Sequence, residues 1–265
     1  MPEAQRGSDV NVVGRLTGSD PGLKDSVVLV DAHFDHIGLS RVPLDIDSLL
    51  AWRQLPSHNG GLQVNMDSIR RAYPTPRRDS VFNGADDDAS GVVAVIEIAR
   101  RLAAGPRPKR TIVFMATTGE EVGLLGTRWY MQHPVVPNNA LVANLEIEMI
   151  GRPDSLSDGK GRAWLTGFER STMGDIFAAA GLPIVPDKRP SQSFFARSDN
   201  IAFARMGIPA HTLSSFNLHE DYHQVTDEVG AVDFEHMASV IDAATKAVDL
   251  LANGAAPVWK PGGKP

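Results

Sequence analysis

Two stretches of the chain are apolar without alternation. Ser26 to Ala32 (SVVLVDA) and Thr111 to Ala116 (TIVFMA) have the pattern of strands buried on both faces. Val10 to Leu16 and Leu141 to Ile147 read as further strands, and Ile208 to Leu213 as another between loops. Helical periodicity is clearest over Ser90 to Ala104. There Val92, Val95, Ile96, Ala99, Leu102 and Ala103 recur at steps of three and four, and Gly105-Pro106 ends the run. Glu121 to Gln132, Glu169 to Ala180 and Asn200 to Met206 read as helices. A long amphipathic helix follows from Phe234, Met237, Val240, Ile241, Ala244, Val248 and Leu251. Residues 1–9 are a polar lead-in, and Pro257 to Pro265 reads as a frayed tail.

Strands alternating with helices predict a single α/β domain over 1–265. Its sheet is mixed and mostly parallel, with helices on both faces. Residues 39–82 break the alternation. They hold four prolines, scattered charge and one weakly helical stretch, Ile46 to Gln54, and are too long for an ordinary connection. They read as an insertion at about 40–80, and its Leu44, Ile46, Leu49, Leu50, Trp52, Leu55 and Leu62 are too many apolar residues for a freely solvated loop. A lid or wall over a functional cleft is one reading of this segment, and a surface insertion or subunit contact is the other.

Composition narrows the function. Hydrophobic residues make up 42% and charged residues 22%, which is the balance of a folded globular chain. A net charge of −6 removes the basic excess of a nucleic-acid binder, and no apolar run approaches the ~18 residues of a membrane helix. The absence of cysteine excludes disulfide scaffolds, thiolate zinc sites and cysteine nucleophiles. The N-terminal residues contain no apolar leader. That fits a cytoplasmic protein, or a secreted or periplasmic one whose leader has been removed, so the compartment stays open.

The chemistry gathers where the strands end. The strand at 26–32 runs into His33-Phe34-Asp35-His36, that at 111–116 into Thr117-Thr118-Gly119-Glu120-Glu121, and that at 141–147 into Glu148. In open α/β sheets ligands bind outside the carboxyl ends of the strands, so these groups are expected on one rim. Asn83 to Gly91 (NGADDDASG) precedes the first long helix, and His219 to His223 (HEDYH) precedes the last. Singly, each cluster has a plain reading: acids before a helix serve as caps and dipole partners, which Asp88 or Ser90 could do alone. Jointly, carboxylates at converging strand ends repel one another unless a cation lies between them.

The segments AHFDHIG (32–38), NGADDDASG (83–91), TGEEVGLLGT (118–127), NLEIEMIGR (144–152), RSDNIAFARMGIP (197–209) and HEDYHQVTDE (219–228) stand in the order of a known family. Over about 10–250 the chain resembles the zinc exopeptidases that include bacterial leucyl-type aminopeptidases, glutamate carboxypeptidase-like enzymes and, more distantly, glutaminyl cyclases. The resemblance implies two Zn²⁺ per chain, with Mn²⁺ or Co²⁺ as possible substitutes. It implies His33, Asp86, Glu121, Glu148 and His223 as metal ligands, Asp86 bridging both ions. It further implies Asp35 as the orienter of His33, Glu120 as general base, Tyr222 and Arg197 as donors to the oxyanion, and a cis peptide between Asp86 and Asp87. Glu148 stands where the family usually has Asp. Glu146 shares its strand face, and Glu148 is preferred because Met-Ile-Gly-Arg follows it. His36 and His219 are held as structural or rim histidines.

The implied activity is metal-dependent hydrolysis of a peptide bond at a chain terminus, with a peptide as substrate and the amino terminus favoured. Acids such as Asp87 and Glu146 lie near the motifs, whereas few arginines beyond Arg197 do. The alternatives are a carboxypeptidase or dipeptidase of the same family, a glutaminyl-cyclase-like transferase, and a non-catalytic binding domain. Family members usually carry an extra N-terminal stretch, so this chain is expected to be a trimmed catalytic domain. Its oligomeric state is left open.

Overall fold

The computed structural model describes residues 8–55 and 66–265, so Leu62 lies outside the described residues. Seven strands form the main sheet: β1 (Val12–Leu16), β2 (Val27–His33), β5 (Thr111–Thr117), β6 (Leu141–Ile147), β7 (Ala163–Leu165), β8 (Ile184–Pro186) and β9 (Ala210–Ser214). Their order is β1-β5-β2-β6-β9-β7-β8. The four central strands are parallel, β1 runs antiparallel to β5, and β7 runs antiparallel to β9. β2, β5, β6 and β9 therefore deliver their carboxyl ends to one rim.

Every residue of β2 is buried because both faces of the sheet are covered. Val28, Val30, Ile112 and Phe114 pack on one side with α3 (Ala89–Ala104), α5 (Thr172–Ala179) and α7 (Phe234–Asn253). Val27, Leu29, Val113 and Met115, one position out of phase, pack on the other with α4 (Leu125–Gln132) and α6 (Asn200–Met206). α3 turns Ala94, Val95 and Ile98 inward, while Ile96, expected on the buried stripe, is 63% exposed. No helix among the described residues is long and apolar enough to cross a membrane.

Four sequence expectations are revised. Residues 39–82 are ordered rather than irregular where they are described. β3 (Gly38–Asp45) and β4 (Arg78–Phe82) form an antiparallel ribbon, and α1 (Ile46–Arg53) and α2 (Met66–Ala72) lie between them. Asp45 starts α1 by accepting from the Ser48 amide at 2.9 Å. The helix expected from Glu121 begins only at Leu125. Gly119, Gly123 and Leu124 have positive φ, so residues 119–124 form a tight turn that ends in the left-handed Leu124. β7 and β8 were not foreseen, since three residues are too few to show a period. The C-terminal tail is docked instead of frayed: Trp259 bridges to Ser171, its indole N–H donates to the Gly207 carbonyl at 2.9 Å, and Lys260 pairs with Asp175.

Candidate active site

The rim at the strand ends carries the ionisable groups. His33 closes β2 and is fully buried. Its Nδ1 lies 3.0 Å from the main-chain carbonyl of Asp35, and its Nε2 lies 3.2 Å from Asp87 Oδ1. The Asp35 carboxylate, expected to orient His33, lies 3.8 Å from His33 Nδ1 and also accepts from the amides of Glu120 and Glu121 at 3.1 and 3.3 Å. It therefore fixes the turn that presents both glutamates, while its backbone carbonyl makes the shorter contact to His33.

The three consecutive aspartates point in three directions. Asp88 caps α3, accepting from the Gly91 amide at 3.1 Å and from the Met149 amide at 2.9 Å. Asp86 turns away from the histidines at the strand ends: it accepts from the Gly151 amide at 2.7 Å and faces His219 Nε2 at 3.0 Å. Asp87 is the one that meets His33 and, at 3.2 Å, His223 Nε2. The structure thus places Asp87 where the resemblance had put Asp86. The cis peptide likewise lies between Asp87 and Asp88, one bond later than expected. Gly84, with φ of +60°, permits this approach, because a Cβ there would stand 2.2 Å from the Asp87 carbonyl oxygen and 2.7 Å from the His36 ring.

Glu121 completes a second grouping. Its carboxylate lies 3.1 Å from His223 Nε2 and 2.9 Å from His36 Nδ1. His36, held as a structural histidine from sequence, is thereby brought to the acids, whereas His219 is engaged with Asp86. The two candidate glutamates of β6 and its end also separate. Glu146 is saturated: it accepts from Ser198 Oγ, the amides of Asp199 and Asn200, and Thr212 Oγ1. Glu148 is left to join His33 and Asp87, and ligand atoms of these three lie within 4.8 Å of one another. Those of His36, Asp87 and Glu121 do the same. Tyr222 stacks on His223 with ring centroids 3.8 Å apart, and its hydroxyl lies 3.5 Å from Arg197 Nη2.

The electrostatics are those of crowded acids. Burial, reinforced by the charge of Glu148, pushes Glu120 up to about 9. Burial and the charge of Glu146 push Glu148 up to about 8. The carboxylates of Asp87 and Glu121, 3.2 and 3.1 Å from its Nε2, raise His223 to about 9. Burial opposes ionisation of Asp87 as well, but His223 and His33 outweigh it and hold that carboxyl well below its usual range. His33 Nε2, His36 Nδ1, Asp87 Oδ2, Glu121 Oε1 and His223 Nε2 are buried without a hydrogen-bond partner among the described residues.

These groups open into a cleft of about 400 Å³. Glu120, Glu148 and Tyr222 line it, together with three arginines, Arg128, Arg197 and Arg205. Sequence reasoning singled out only Arg197. The other two sit on α4 and α6, and nothing short of the fold shows that these helices face one cleft. Asp87 was also missed. Once Asp88 is assigned to the helix cap, two aspartates remain, and no pattern in the chain separates them.

A 68-residue segment is 46% identical to a "probable zinc metalloprotease" of Pyrenophora tritici-repentis, covering 26% of this chain and 15% of that protein. A 137-residue segment is 30% identical to a "probable leucine aminopeptidase 2" of Aspergillus oryzae, covering 48% of this chain and 26% of that one. The fold is similar to that of an aminopeptidase from Aneurinibacillus sp. strain AM-1, with a TM-score of 0.63 and 20% identity over 95% of this chain and 50% of the other. The chain thus spans about half the length of that structure and a smaller share of the curated relatives it matches. The model of peptidase family M28 matches residues 11–248, nearly the whole chain, and the chain belongs to that family.

Proposed function

We propose that the chain is a metal-dependent exopeptidase that removes residues from the amino terminus of peptides. The observation that carries this reading is the pair of ligand groups, His33, Asp87 and Glu148 on one side and His36, Asp87 and Glu121 on the other, sharing Asp87. Imidazole and carboxylate without thiolate suit Zn²⁺, with Mn²⁺ or Co²⁺ as substitutes. The buried, unpartnered nitrogens and oxygens of these residues fit such an ion, because leaving them without a cation or a hydrogen bond is costly. His33 and Glu148 would hold one ion, Glu121 with His223 or His36 the other, and Asp87 both. When bound, the ions supply Lewis acidity and make water a nucleophile near neutral pH.

The remaining work belongs to the chain. Glu120, placed by the Asp35-anchored turn and held ionised by the charge of the ions once they are bound, would take the proton of the attacking water and pass it to the leaving amine. Tyr222 and Arg197, side by side at the cleft, donate to the oxyanion that develops on the scissile carbonyl. The likeness to aminopeptidases favours the amino-terminal direction.

The test is hydrolysis of leucyl p-nitroanilide and of its N-acetylated form. Cleavage of the free amine alone is expected, abolished by a chelator and restored by Zn²⁺. Preferential cleavage of the blocked form or of carboxy-terminal residues would overturn the direction. Full activity at one metal per chain would overturn the two-metal arrangement and favour the transferase-like alternative.

A further inference from the structure

Of the three arginines that line the cleft, the chemistry just described uses only Arg197. Every carboxylate lining the cleft is already placed: Asp87, Glu121 and Glu148 in the ligand groups and Glu120 as base. None is left to neutralise Arg128, Arg197 and Arg205. Several arginines elsewhere are matched to acids. Arg53 and Arg152 hold Asp221, Arg77 holds Asp47, and Arg189 holds Asp154. Arg128 and Arg205 make no side-chain hydrogen bond or ion pair among the described residues, and Arg197 has only the Tyr222 hydroxyl at 3.5 Å and the face of Phe194 at 5.0 Å. Ile201 and Arg205, four positions apart on α6, share one face, and both line the cleft. Arg128 reaches the same cleft from α4.

Arg128 and Arg205, lining a peptide cleft without a counter-ion, are suited to an anion, and the fork geometry of the guanidinium matches a carboxylate. We propose that these arginines bind a carboxylate of the substrate, so that the chain selects peptides with an acidic side chain or a free terminal carboxylate in this part of the cleft. The inference rests on the exopeptidase reading and adds to it a substrate class. Trp164 and Phe194, stacked with centroids 5.1 Å apart, supply the apolar wall for the stem that carries the charge.

Two readouts test it on the zinc-loaded chain. In hydrolysis, glutamyl is compared with glutaminyl p-nitroanilide, and leucylglycine with leucylglycinamide. The charged member of one pair should show a kcat/KM about tenfold higher, the scale of a charge-assisted hydrogen bond at a partly wet site. A preference in the first pair marks a side-chain carboxylate, and in the second a terminal one. In calorimetry, which needs no turnover, 4-aminobutanoate should bind about tenfold more tightly than the isosteric 4-aminobutanamide. Both arginines of α4 and α6 are on exposed helix surface, so the Arg128→Gln/Arg205→Gln double variant should fold, and in it both ratios should fall to about one. Equal values for charged and neutral members in the wild type, or ratios that persist in the double variant, would overturn the assignment. If no substrate is cleaved while 4-aminobutanoate still binds through the arginines, the exopeptidase reading fails and the carboxylate site stands.

Discussion

Asp86, Asp87 and Asp88 carry identical side chains, yet one braces a loop, one meets the histidines and one caps a helix. This division is directly testable. Asp87→Asn should weaken zinc binding by at least ~10–100-fold, whereas Asp86→Asn should retain the metal, as measured by zinc titration. The opposite result would return the bridging role to Asp86. Glu120→Gln should keep the metal and lose at least ~10²-fold in kcat, while Glu121→Gln should lose metal affinity first. A third residue-scale prediction concerns His211, whose nitrogens lie 2.7 Å from Ser171 Oγ and 2.7 Å from the Thr166 carbonyl inside the core. Burial depresses its pKa to about 4 from an ordinary 6.5. The folded state therefore binds fewer protons than the unfolded one. The contribution is complete above pH 6.5 and is lost as pH falls from there through about 4, by at most roughly 3 kcal/mol. Urea unfolding of wild type and His211→Gln across pH 7 to 4 should show a shallower acid loss in the variant, and parallel curves would refute this.

At the scale of elements, none of the insertion's described residues lines the cleft. α1 reaches the loop that carries His223. Arg53 donates to Asp221 Oδ1 at 2.6 Å and to the Glu220 carbonyl at 2.6 Å, while Arg152 holds the other Asp221 oxygen at 2.7 Å. His223 lies two residues further on, in the left-handed region, a conformation that needs outside support. Arg53→Ala should therefore weaken one of the two proposed zinc sites by up to ~10-fold in a stepwise titration and leave the other unchanged. Identical isotherms would show that the insertion is not coupled to the site. Much at this scale was legible. The buried strands at 26–32 and 111–116 and the helix at 90–104 stand within a residue or so of their periodic patterns. The ribbon of β3 and β4 was not, because Pro43 and scattered charge are tolerated on a two-stranded edge and erase the period-two signal.

At the scale of the whole molecule, the tail joins regions far apart in sequence. Trp259 packs near Phe195 and His211, with centroids 6.3 and 5.6 Å away, and ties to Gly207. Ending the chain after Ala256 should lower the melting temperature by about 5 °C or more, given ~2–4 °C per kcal/mol for a chain of this size. An unchanged melting curve would mean that the docked tail contributes little. The sheet order explains the convergence of the site. Strands that are second, fifth and sixth in sequence stand side by side and parallel, so His33, the 119–124 turn and Glu148 emerge together.

Sequence alone determined the α/β class, the strand ends as the place where ionisable groups gather, and the types of residue found there. Those features are local: burial on two faces leaves a continuous apolar run, and a strand's last residue is known once the run ends. The tertiary structure decided which of several equivalent acids face inward. Asp87 rather than Asp86, Glu148 rather than Glu146, and His36 rather than His219 follow from turn geometry and from which polar partners have already claimed each rival. It also decided the charge of the cleft. Arg128, Arg197 and Arg205 are up to 77 positions apart in the chain, and only the packing of α4 and α6 on the same face of the sheet brings them to one opening.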